Sequence, residues 1–188
     1  MYVMTQTKLV FLDLDGVINS LEYNVGMENI ERDRRFRLDD YDPVKVGLIR
    51  FIYKMTSAKI VISSSWRIGK SPDWFIGFFE SVGWPSPPII DCTTTATVKK
   101  DGIGRGDQVD HWLEQKHPGY RYDPNVNYVI LDDDSDFYDW QPHIKTHFLT
   151  GITLKEVVKA IDMLGFGQSG SEEKLKGIRS HVDFVPKS

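Results

Sequence analysis

Short apolar runs alternate along this chain with longer segments whose apolar residues recur at helical spacing. Lys8-Leu9-Val10-Phe11-Leu12 runs into Asp13-Leu14-Asp15-Gly16-Val17, and an apolar run closed by a turn signal predicts a buried strand of a parallel sheet. Lys59-Ile60-Val61-Ile62-Ser63 and Tyr128-Val129-Ile130-Leu131 have the same form. Ile89-Ile90-Asp91-Cys92 follows the loop of Pro85, Pro87 and Pro88, and Ile144 to Leu149 is expected as a last strand. Between these runs, Asp42-Pro43 opens a helix with a capping Asp and Pro at its first position, and Val44, Leu48, Phe51, Ile52 and Met55 would form its core face. Ser71-Pro72 starts another helix through Val82 with Gly83 as its stop, and Asp107 is read as the cap of a short helix to Lys116. Thr153 and Glu156 make a capping box for a helix ending at Leu164. Asn19 to Tyr41, Thr93 to Gly106 and His117 to Asn127 are polar or turn-rich connections. Alternating strands and helices predict an α/β fold: a mainly parallel central sheet with helices on both faces. Residues 1–164 would form one domain and 165–188, rich in Gly, Ser and Lys, a flexible tail.

Bulk composition narrows the function classes. At 188 residues the chain is long enough for one well-buried α/β core. Its formal net charge of −4 gives no global basic field for nucleic acid, which leaves only local patches for that role. A single cysteine, Cys92, excludes an internal disulfide and suits a reducing compartment. No signal-peptide core is visible, and no run approaches the roughly 20 apolar residues of a membrane span. A soluble, cytoplasmic protein with no membrane partner is expected.

The candidate chemistry gathers where the strands end. Ligands of open α/β sheets sit beyond the carboxyl ends of the strands. The first strand delivers Asp13 and Asp15 there, the second Ser63, Ser64 and Ser65, and a later one Asp132-Asp133-Asp134-Ser135-Asp136. Residues two apart in an extended chain point to one side, so both Asp13 and Asp15 are expected to face one ligand. Close unpaired carboxylates repel, and a divalent cation or substrate would relieve them. Oxygen ligands from two strands suit Mg2+. Arg105, in a Gly-rich loop before a helix, supplies positive charge. A carboxylate nucleophile, a second carboxylate for proton transfer, a metal and a cation form a coherent set for phosphoryl transfer.

These stretches resemble the motifs of the haloacid dehalogenase-like (HAD) hydrolases. More narrowly, Ile62-Ser63-Ser64-Ser65-Trp66-Arg67, Arg105-Gly106-Asp107 through Trp112-Leu113, and Ile130 through Asp136 resemble the HAD domain associated with "Swiss army knife" RNA-repair proteins, over about residues 7–164. The resemblance implies a Rossmann-like three-layer sandwich and a phosphomonoesterase that works through an aspartyl-phosphate. Asp13 would be the nucleophile. Asp15 would protonate the leaving oxygen and then activate water. Mg2+ would be held by Asp13, the Asp15 main-chain carbonyl and one acid of the last cluster, either Asp133 or Asp132 with Asp136. Ser64, or alternatively Ser63, would bind the phosphate. Arg105 would be the cation, with Lys99 or Lys100 as alternatives.

The spacing between motifs leaves no room for a large cap; residues 19–41 are at most a small flap or minimal cap. An open site suits a phosphate on a large molecule, so a phosphorylated nucleic-acid end is the leading substrate. A small nucleotide phosphate is the alternative, and a non-catalytic HAD-fold binding module is the rival from another class. Arg32, Arg34, Arg35 and Arg37, interleaved with Phe36, are candidates for a phosphate backbone, although Glu31 and Asp33 make a solvated surface loop the plainer reading. Arg67 is the better single candidate for a phosphate clamp. Asp132, Asp134 and Asp136 imitate the start of an EF-hand loop, but Phe137 and His143 stand where Gly and Glu are needed. His143 and His147, on an expected strand, lack the helical geometry of a zinc pair. Trp66, Trp74, Phe75, Phe78 and Phe79 read as core or site wall.

Overall fold

The computed structural model describes residues 6–28, 41–95 and 104–167. The arginine-rich stretch, Lys99 and Lys100, and the chain from residue 168 lie outside the described residues.

Five parallel strands form the sheet: β1 (Thr7–Leu12), β2 (Lys59–Ile62), β3 (Ile89–Cys92), β4 (Val126–Asp132) and β5 (His143–Lys145), in the order β3-β2-β1-β4-β5. Helices α1 (Leu21–Glu28), α2 (Pro43–Thr56), α3 (Pro72–Ser81), α4 (Arg105–Lys116) and α5 (Leu154–Leu164), with 3-10 turns at Ser65–Arg67 and Tyr120–Tyr122, complete the described elements. The architecture is the expected α/β, Rossmann-like one.

Alternation along β1 decides the layers. Val10 and Leu12 pack with Ile49 and Ile52 of α2, Phe75 and Phe79 of α3, and Val157 and Ile161 of α5. Leu9 and Phe11 join the opposite core with Val109, Trp112 and Leu113 of α4. Phe11 meets Trp112 and Tyr128 edge-on at 5.5 and 5.8 Å, a favoured aromatic geometry. Each fully buried Leu, Ile or Phe contributes about 1.5–3 kcal/mol by leaving water.

Several expectations shift in detail. Asp42 caps α2 through the Val44 N–H at 2.8 Å. The buried stripe of α2 is Val46, Ile49, Ile52 and Met55, while Leu48 and Phe51 are partly buried and Val44 is 67% exposed. The helix is therefore rotated from the expected face. Helix α4 begins at Arg105, so Asp107 lies in its first turn and Gly104, at φ +51°, makes the entry. The last strand pairs only over His143–Lys145; beyond it Phe148 and Leu149 are exposed. Helix α1 was not expected, because Leu21 and Val25 remain exposed and give it no core stripe. It is docked by backbone bonds from Leu21 N–H to Phe148 O and Glu22 N–H to Leu149 O. The α5 capping box is present as expected. Among the described residues no helix is long and apolar enough to cross a membrane.

Register positions the site. Leu12 pairs with Ile62 on one side and Leu131 on the other, so β1, β2 and β4 end level. The ladder continues one step further, with Asp13 N–H on Leu131 O and Ser63 N–H on Leu12 O, both at 3.0 Å.

Candidate active site

Strands β2 and β3 build outward from one side of β1, and the chain then crosses to place β4 on the other. The carboxyl edge between β1 and β4 is thus the topological switch point, where open α/β sheets bind ligands. Asp13 and Asp132 stand on its two sides, 2% and 0% exposed.

Arg105 bridges them. Its Nη1 donates to Asp13 Oδ2 at 2.7 Å and Asp132 Oδ2 at 2.6 Å, and its Nη2 to Asp134 Oδ2 at 3.0 Å. The Leu14 N–H holds Asp13 Oδ1 and the Asp134 N–H holds Asp132 Oδ1. Burial raises the Asp13 carboxyl pKa, against the pull of Arg105 and of a hydrogen bond from Ser64. Burial and the neighbouring Asp13 push Asp132 up to about 7. Asp133 is raised by the same two causes. Burial works against the Arg105 charge, but Asp13 and Asp132 outweigh it and raise its pKa. One guanidinium leaves this concentration of carboxylates short of positive charge.

Asp13, Asp132 and Asp133 each offer an oxygen within 4.8 Å of the others. Hard carboxylate oxygens so grouped fit a divalent cation. Gly16 makes the room. It sits at φ +66°, and a Cβ there would lie 2.2 Å from the Asp133 carboxylate carbon. The Gly16 carbonyl is held by the Thr146 hydroxyl at 2.7 Å, fixing the turn from the residue that follows β5.

Asp15 has separate partners. Its Oδ2 accepts from the Trp66 indole Nε1 and its Oδ1 from Asn19 Nδ2, each at 2.8 Å. Asp13 and Asp15 thus have different hydrogen-bond partners, because β1 ends at Leu12 and the chain turns before Asp15. The Ser64 hydroxyl is fully buried beside Asp13 and caps the helical turn Ser65–Arg67 through the Trp66 N–H. Ser63 is equally buried, and its hydroxyl has no hydrogen-bond partner among the described residues. Both hydroxyls remain candidates for a phosphate oxygen.

Two expected site residues take other positions. Arg67 is 6% exposed and turned into the protein. It donates to the carbonyls of Ser63, Ser64, Thr93 and Thr94 and to Gln108 Oε1. Its planar fork ties the loops after β2 and β3 together and leaves no donor facing a phosphate, so it is not the clamp expected of it. Asp136 lies at the start of α4, where its Oδ2 accepts from the Arg105 N–H at 2.9 Å, and it is absent from the Asp13–Asp132–Asp133 group. Its carboxylate complements the positive end of the helix. His143 packs on Phe137 with its Nε2 at 3.0 Å from Asp132 O, and His147 accepts from the Leu149 N–H; neither joins the acidic group.

Asn19 and Thr146 were given no place in the site by the sequence, and Trp66, read as core or site wall, and Asp134, read only as part of the acidic cluster, take specific partners in Asp15 and Arg105. Trp66 reaches Asp15 across 51 positions and Thr146 reaches Gly16 across 130, so no local pattern could reveal either.

A parallel sheet with β1 and β4 aspartates bridged by a cation at the switch point is the architecture of the HAD-like hydrolases. The family model described as the HAD domain in Swiss Army Knife RNA repair proteins matches residues 9–157, and the chain belongs to that family. Its members carry a hydrolase domain of phosphatase type. No curated protein and no solved structure matches the chain.

Proposed function

We propose that this protein is a Mg2+-dependent phosphatase that removes a terminal phosphate from a nucleic acid through an aspartyl-phosphate on Asp13. The observation that carries the reading is the separation of two carboxylates: Asp13, buried and held by Arg105, and Asp15, held apart by Trp66 and Asn19. A nucleophile and an acid–base group need such different surroundings.

In the first step an Asp13 carboxylate oxygen attacks phosphorus and the bond to the ester oxygen breaks. Asp15 delivers a proton to that leaving oxygen; each of its oxygens keeps a lone pair beyond the hydrogen bond it accepts. In the second step Asp15 takes a proton from water, the water oxygen bonds to phosphorus, and the bond from phosphorus to Asp13 breaks. Free phosphate leaves and Asp13 is restored. Ser64 or Ser63 would donate to a phosphate oxygen, and Arg105 would offset charge on the transferring group. Asp13, Asp132 and Asp133, with the Asp15 carbonyl, would hold the cation. Bound there, Mg2+ would neutralise the carboxylates and the phosphate oxygens. The family's description in terms of RNA repair supports a nucleic-acid end as substrate.

The test is phosphate release from oligonucleotides phosphorylated at the 3′ or 5′ end, with and without Mg2+, for wild type and Asp13→Asn. Metal-dependent release that the variant loses is expected. Preference for free nucleotides would move the substrate, and binding without turnover of any phosphate ester would overturn the enzymatic reading.

A further inference from the structure

Beyond Asp15, a wall of half-buried aromatic side chains leads away from the reacting carboxylates. It starts at Trp66, whose indole N–H is bonded to Asp15 Oδ2 at 2.8 Å. Phe78 follows, 6.1 Å from Trp66 by ring centroids, and Trp74 lies parallel to Phe78, with 3° between the planes and 5.8 Å between centroids. Lys70 reaches over both indoles, its Nζ 4.1 Å from the Trp74 centroid and 5.6 Å from that of Trp66. Among the described residues no carboxylate pairs with Lys70. Ile68, in the same loop, is 68% exposed.

A purely structural role accounts for the inner faces of these rings, which pack on the α2 and α3 core. It does not account for an ammonium held over two indoles with no carboxylate paired to it among the described residues. Cation–π attraction positions such a group, and an ammonium donates three hydrogen bonds and accepts none. An anion from outside would complete it. Indole faces accept any nucleobase, and aromatic faces interleaved with cations are how proteins follow a single strand.

We propose that Trp66, Trp74 and Lys70 form the platform for the leaving group: Lys70 turns off the indoles to engage a phosphodiester of a single-stranded nucleic acid, and the terminal base stacks on the indole face it uncovers. The proposal rests on the phosphatase reading, because Asp15 marks where the leaving oxygen lies. A strand is selected over a free nucleotide, since only the strand carries a phosphodiester for Lys70 as well as a base. The platform is continuous with the acid–base residue, which places the base next to the bond that breaks.

Binding is measured by fluorescence anisotropy on the full chain carrying Asp13→Asn, which blocks turnover. The probes are a short labelled oligonucleotide with a terminal phosphate and the same strand with an abasic last residue. Loss of the terminal base is expected to weaken binding roughly 5- to 150-fold, the range for stacking one base on an aromatic side chain. Trp74→Ala should remove most of that difference. Lys70→Gln, a conservative change at the protein surface, should make the slope of log affinity against log salt shallower by about 0.7, the value for one single-strand phosphate. Melting temperatures close to that of the parent establish that both variants fold. Equal affinity for base-bearing and abasic ends, or a salt slope untouched by Lys70→Gln, overturns the platform. Metal-dependent phosphate release by the wild type alongside that result would leave the chemistry standing and remove only the platform. Base-dependent binding without release of any phosphate would retain the platform as a nucleic-acid site and sink the phosphatase.

Discussion

Gly16→Ala separates the backbone cost of the first turn from its effect on the acidic site. Gly16 holds φ +66°, and an added Cβ would lie 2.2, 2.4 and 2.5 Å from the three outer atoms of the Asp133 carboxyl group. Ordinary carbon contacts lie near 3.5–4.0 Å. The carboxylate is the free end of a side chain, so it rotates away instead of forcing the strands apart. What remains in the folded state is the left-handed backbone, about 1–2 kcal/mol for a residue with a Cβ. For a domain of this size that lowers Tm by roughly 2–8 °C. The displaced Asp133 leaves two of the three grouped carboxylates, and Mg2+ affinity should fall about tenfold or more, as when a metal site loses a supporting group. Thermal melts with increasing Mg2+ read both effects: the metal-free Tm reports the backbone and the concentration dependence reports affinity. A cycle with Asp133→Ala isolates the clash, because in that background Gly16→Ala should cost stability but no further affinity. Full Mg2+ affinity in Gly16→Ala, together with the lowered metal-free Tm, would refute the place of Asp133 in the cation site.

Two further outcomes follow from the same geometry. Asp132 is held near 7 in the folded protein against 3.8 for an ordinary aspartate, so between those values the folded state carries a proton that the unfolded chain has lost. That contribution favours the metal-free fold at low pH and disappears as pH rises through about 7. A cation must displace the proton, so the Mg2+-induced rise in Tm should grow from pH 6 to pH 8, and Asp132→Asn should reduce that growth to what Asp13 and Asp133, also raised by burial, contribute. Arg67→Ala strands several carbonyls behind a buried cavity, and a loss of about 3 kcal/mol or more is expected in urea unfolding. If Arg67 faced the substrate instead, stability would hold and KM alone would rise.

Much of the fold is legible in the order of residues because strands and caps are local events. Leu9 through Leu12 cannot be solvated cheaply on either face, so this run must be buried on both sides. Asp42-Pro43 and Thr153 with Glu156 satisfy backbone groups within one turn, and both operate as read. Helix α1 escaped because its stability comes from docking against Phe148 and Leu149 and not from a stripe of its own.

The sequence by itself determined that aspartates would follow two strands, that hydroxyls would follow a third, and that Arg105 would lie just before a helix. These are properties of residue type beside an element boundary. Tertiary structure decided which of them meet. Level strand ends bring Asp13 to Asp132, the turn at Gly16 admits Asp133, and the helix start recruits Asp136 as its cap. The fold also took Arg67 inward to satisfy carbonyls and sent Trp66 to Asp15. A charged side chain points to whichever partner offsets its burial, and that partner is known only once distant segments are packed together.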